Sequence, residues 1–182
     1  MLIAVQSDGE RGRVDEVIAE LAETLVRGGL DVAGLVQSNP VREGRCRCDM
    51  ALRELASGRE IGISQDLGNG SRGCRLDPGA LETAVGWVQA SLSPDIDVLI
   101  LNKFGKREAE GAGLRPVIAS AVALGIPVVV GLGAENRAAW EAFCGGDGEI
   151  VQATEIGHVA QRLLARRKPA GGHAARDTAR TL

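Results

Sequence analysis

The chain has 182 residues, enough for one domain with a full core that needs no disulfide support. A formal charge of -3, with two Phe, two Trp and no Tyr, supplies neither a basic field nor stacking rings, which excludes a general nucleic-acid binder. No apolar run approaches the roughly 20 residues that span a bilayer, so neither membrane nor nucleic acid is expected as a partner.

The first apolar stretch, 2–6, reads as a strand with no basic flank before it, unlike a signal peptide. A cytoplasmic location is expected, with the four cysteines as reduced thiols or ligands. A turn-rich loop follows at 7–12. Val14, Val17, Ile18, Leu21 and Leu25 then recur at helical spacing until Gly28 and Gly29 stop the helix. Strand, glycine loop and helix are how a phosphate-binding unit begins, and a strand over 31–37 completes a βαβ unit.

Over 38–77 the pattern changes. Alternation on either side of a turn at 56–58 predicts an antiparallel hairpin inserted in the α/β frame, and 65–75 reads as a long loop. Asp77 and Pro78 open a helix that Pro94 closes. The run 98–101 is continuously apolar, as in a parallel strand covered on both faces, and Asn102 and Lys103 stand just beyond it. A helix over 114–124, a strand over 127–130, a helix near 136–143, a strand over 149–152 and a helix from 154 to about 167 complete a single domain over 1–167. The mixed composition of 168–182 reads as a mobile tail.

Two places in this layout can carry chemistry. Laid over the phosphate-binding pattern G-x-x-x-x-G-K-[ST], residues 7–14 give Ser7 for the first glycine, Gly12 in register, Arg13 for the lysine and Val14 for the metal-binding hydroxyl. Arg13 keeps a positive charge and Val14 keeps no metal ligand. At the end of the apolar run, where a metal-dependent NTPase carries acids, stand Asn102 and Lys103. The two losses agree in arguing against magnesium-assisted hydrolysis.

The runs LNKFGKREAEGAG at 101–113, ISQDLG at 63–68 and GCRLD at 73–77, with the hairpin after the second strand, resemble a bacterial family, a domain of unknown function often encoded near molybdate-transport genes. That family is similar to the small P-loop nucleoside-triphosphatases of thermophiles. The resemblance implies a P-loop NTPase-like α/β fold, a mostly parallel sheet with helices on both faces. It also implies a link to molybdenum handling; the degenerate motifs set activity apart from fold.

Cys46, Cys48 and Cys74 could meet at one mouth, yet C-x-C plus one remote cysteine lacks the spacing of a structural zinc site, so no metal is assigned. Cys144 reads as a packing residue. Guanidinium groups bind oxyanions in a fork, and Arg11, Arg13, Arg42, Arg45, Arg47, Arg72 and Arg75 fall in expected loops or strand ends that this fold can bring to one edge; for Lys103, Lys106 and Arg107 the plain alternative is pairing with Glu108 and Glu110.

The expected function is non-hydrolytic binding of a small anionic ligand, a nucleotide phosphate or a molybdate-like oxyanion. Its site comprises Ser7, Gly9, Arg11, Gly12, Arg13, Arg72, Asn102 and Lys103, with no catalytic residue. An NTPase with atypical metal ligands and a ligand-free partner-binding protein stay open as alternatives. So do the cofactor, the ligand and a homodimer.

Overall fold

A computed structural model of the chain describes residues 1–7, 13–38, 50–65 and 76–167. Its elements are β1 (Leu2–Gln6), α1 (Arg13–Arg27), β2 (Val32–Ser38), β3 (Ala51–Glu54), β4 (Glu60–Gly62), α2 (Pro78–Ser91) and β5 (Val98–Phe104). After these come α3 (Lys106–Ala109), α4 (Arg115–Ala123), β6 (Val128–Leu132), α5 (Arg137–Cys144), β7 (Gly148–Gln152) and α6 (Ile156–Leu164).

Seven strands form one sheet in the order β4-β3-β2-β5-β6-β1-β7. From β2 across to β7 every neighbouring pair is parallel; β2–β3 and β3–β4 are antiparallel, and the hairpin extends the sheet beyond β2. The crossover from β1 to β2 runs in one direction along the sheet, and those from β5 to β6 and from β6 to β7 run in the other. Right-handed connections therefore put their helices on opposite faces. α1 and α6 cover one face, burying Ile18, Leu21, Leu25, Val159 and Leu163 against Ile3, Val98, Ile100 and Val129. α2, α4 and α5 cover the other, with Leu81, Val88, Val117, Ile118 and Trp140 over Leu35, Leu99, Leu101 and Val130. The expected α/β sheet with helices on both faces and a hairpin is thus observed.

Local signals explain most element ends. The Asp77 carboxylate accepts from the N–H groups of Gly79 and Ala80 at the start of α2, with Pro78 in the first turn. Glu54, almost fully buried, accepts from the backbone N–H groups of Ala56 and Ser57 and so sets the hairpin turn. Cys144 packs at the end of α5, where burial first and Asp147 second push its thiol from 9.0 up to about 11. His158 lies exposed on α6.

Two sequence expectations need correction. β5 does not end at Leu101 but continues through Asn102 and Lys103 to Phe104. The last helix is shorter than 154–167, because a tight 3-10 turn over Ala153–Glu155 precedes α6. The expected tail over 168–182 lies outside the described residues.

Candidate functional site at the carboxyl edge of the sheet

β1 hands the chain to one face and β6 hands it to the other, so a crevice opens beyond their carboxyl ends, the usual ligand position in such sheets. α1 starts here, and its amino end carries Arg13, Val14 and Asp15. Residues 15, 18, 22 and 25 share one helical stripe, and Ile18, Ala22 and Leu25 are buried on it. Asp15 is the charged member of that stripe and is only 5% exposed. A buried carboxylate requires donors, and two come from distant strands.

Lys103 Nζ lies 3.6 Å from Asp15 Oδ1, and Gln37 Nε2 donates to Asp15 Oδ2 at 3.3 Å. Asn102 Nδ2 in turn donates to Gln37 Oε1 at 2.9 Å. The backbone ladder between β2 and β5 stops at Leu35 and Leu101, and this side-chain link carries the connection further. An ionised carboxylate only accepts, so Gln37 must turn its NH2 toward Asp15 and its oxygen toward Asn102. Asn102 must then present its NH2 to Gln37. Its Oδ1 is left buried without a hydrogen-bond partner among the described residues, on a side chain whose residue is 4% exposed.

A β-bulge makes this geometry possible. Leu101 pairs with Val130 and Phe104 with Leu132, so β5 spends three steps where β6 spends two. Strict alternation would send Asn102 and Lys103 to opposite faces; the extra residue lets both join the network, while Phe104 turns to the other core and meets Trp140 edge-on at 5.4 Å. Gly131, on β6, makes room at the same point. A Cβ there would collide with the Asn102 carbonyl oxygen and with a methyl of Val14. Val14 thus makes an apolar contact at this point, packed at the margin of the α1-side core.

The remaining sequence candidates are placed as follows. Ser7 directly follows β1 and is half-buried. Arg13 begins α1, exposed, with Glu16 3.8 Å away. Gly9, Arg11, Gly12 and Arg72 lie outside the described residues, as do Arg42, Arg45, Arg47, Arg75, Cys46, Cys48 and Cys74. No group of three or more His, Cys, Asp or Glu able to hold a metal occurs among the described residues. Lys103 does not pair with Glu108 or Glu110 as the plain reading had it; its partner is Asp15, because the bulge directs it to α1. Lys106 does pair with Glu110 at 3.7 Å, whereas Arg107 reaches Glu82 at 3.8 Å.

Glu108 has a different task. It is 4% exposed, and its two oxygens accept from the backbone N–H groups of Gly105 and Leu114, each at 2.9 Å. Gly113 passes so close to Glu108 Oε1, at a φ of 62°, that a side chain there would have no space. The glycine-punctuated run after β5 is therefore closed over a buried carboxylate, which holds the end of β5 in place.

An α/β domain with a neutralised polar cluster at the carboxyl edge of a parallel sheet is what the fold and site define. The chain belongs to the family described as "Protein of unknown function (DUF2478)", whose model matches residues 2–159. It is similar, at 40% identity over 135 residues, to the Molybdenum import ATP-binding protein ModC 2 of Bradyrhizobium diazoefficiens; the match covers 74% of this chain and 15% of that protein. The chain thus spans about 15% of the length of the curated relative it matches. No solved structure gives a significant match. No helix among the described residues is long and apolar enough to cross a membrane.

Proposed function

We propose that this chain is a non-hydrolytic binding domain of P-loop NTPase-like descent. On this reading it holds a small oxyanion, either a nucleotide phosphate or a molybdate-like anion, at the amino end of α1. Lys103 and Arg13 face the anion from β5 and α1, joined by Ser7 and by the expected loop residues Gly9, Arg11, Gly12 and Arg72. A setting alongside molybdenum import follows from the relative, in which a segment like this one is part of a longer molybdenum import ATP-binding protein.

One observation carries the non-hydrolytic part. The two positions that would bind magnesium are occupied by Val14, in apolar contact beside Gly131, and by Asn102, hydrogen-bonded to Gln37. Asp15, the acid of the cluster among the described residues, is already matched by Lys103. Lys103 is half exposed and an ammonium has three donors, so it can hold Asp15 and an anion together.

Thermal unfolding in the presence of ATP, phosphate, sulfate and molybdate, with and without magnesium, tests this reading. A ligand at 100 times its Kd stabilises by about 2.7 kcal/mol, and stabilisation independent of magnesium without phosphate release is the expected result. Magnesium-dependent phosphate release that disappears in Arg13→Ala would replace it with the NTPase reading. No shift with any anion would leave the partner-binding reading.

A further inference from the structure

We infer that the site selects an oxyanion that retains a proton, that is, a phosphate group bearing a hydroxyl, over sulfate and molybdate. This rests on the anion-binding reading above and sharpens it to one ligand class.

Three observations lead to it. First, the hydrogen-bond chain runs in one direction, from Asn102 to Gln37 to Asp15, with Lys103 closing it from the other side. The acceptor-only carboxylate fixes both amides, so Asn102 cannot turn its NH2 outward without setting two oxygens against each other at Gln37. Second, Asn102 Oδ1 is a buried acceptor with no donor among the described residues. Leaving such a group unmatched costs on the order of 1–3 kcal/mol, and a ligand that brings a donor removes that cost. Third, Lys103 lies beside Asp15 at the same sheet edge, half in solvent, where it can meet a negative ligand.

An anion that enters here meets a cation and an uncharged acceptor. Sulfate and molybdate near pH 8 are tetrahedral dianions with no proton to give. Phosphate at the same pH is a tetrahedral dianion that keeps one hydroxyl. Charge and shape are matched among the three, so preference comes down to the P–O–H donor, directed to Asn102 Oδ1. Sites built around a polar group reject the analogue that leaves it unpaired far more strongly than they reject a change in size.

The experiment is calorimetric titration of the full chain with inorganic phosphate, sulfate and molybdate at pH 8. Phosphate is expected to bind at least about tenfold tighter than either of the others, the preference that one matched buried acceptor sustains. Sulfate or molybdate binding as tightly as phosphate overturns the inference and leaves the anion-binding reading intact. Absence of binding by all three, together with no thermal shift by ATP, overturns both. In Asn102→Leu, checked for native circular dichroism, the preference among the three anions is expected to collapse; the preference surviving in that folded variant would also overturn the assignment. Because a phosphomonoester keeps a proton on about half its molecules near pH 6, inorganic phosphate and AMP compared at that pH separate the two sources. Equal affinities assign the site to the bare phosphate group, and tighter AMP assigns it to a nucleotide.

Discussion

Lys103 Nζ meets Asp15 Oδ1 at 3.6 Å across the contact between β5 and α1, the carboxylate almost enclosed and the ammonium half in solvent. The two partners are therefore unequal. Lys103→Met removes the cation that faces a buried carboxylate, and the expected loss is about 1–3 kcal/mol. Asp15→Asn releases a lysine that solvent can take back, at a smaller cost. Urea unfolding of both single variants and of the double variant measures the asymmetry and the coupling, for which about 0.5–3 kcal/mol is the range of contacting residues. Equal and additive losses would contradict the pairing.

A second prediction concerns the run that follows β5. Glu108→Ala removes the acceptors of the Gly105 and Leu114 N–H groups together, at about 1–3 kcal/mol for each group left unmatched. Glu108→Gln keeps one oxygen and is expected to lose less. Amide hydrogen exchange should rise first at Gly105 and Leu114 in both variants. Unchanged protection at these two amides would dismiss Glu108 as the closing group.

Cys144 gives a prediction in pH. Burial raises its thiol pKa from 9.0 to about 11, so the folded chain holds the proton more tightly than the unfolded one. The corresponding stability is fully present below pH 9 and is lost as pH rises toward 11. Thiolate is the reactive form, so alkylation of Cys144 at pH 8, followed by peptide mass mapping, should be slow in the native protein and fast in urea. Rapid native alkylation would show an accessible, lowered thiol instead.

Much of the frame was legible in the sequence because it rests on local rules. Apolar runs marked the parallel strands, Asp77 and Pro78 marked the start of α2, and the turn at 56–58 marked the hairpin. Asn102 and Lys103 were legible as candidates by their place after an apolar run. Their partners were not, because Asp15 and Gln37 reach them only through sheet order and a bulge, neither of which leaves a local pattern. One signal was present for Asp15: a carboxylate on the same helical stripe as Ile18, Ala22 and Leu25 marks either a buried pair or a ligand group. Glu108 offered a similar signal, a glutamate three residues beyond the glycine that opens α3, which the neighbouring lysines and arginine concealed behind an ion-pair reading.

The two outer strands also determine how the molecule meets its neighbours. At one side β4 is three residues long, with Glu60 and Gly62 exposed. At the other, Glu149 of β7 is held by both terminal nitrogens of Arg162, at 2.7 and 2.8 Å, a contact that lowers the carboxyl pKa and keeps a charge on that rim. Short or charged rims discourage the addition of a further strand from another chain. A sheet guarded in this way resists edge-to-edge growth, so its described rims protect the fold against aggregation as well as closing it.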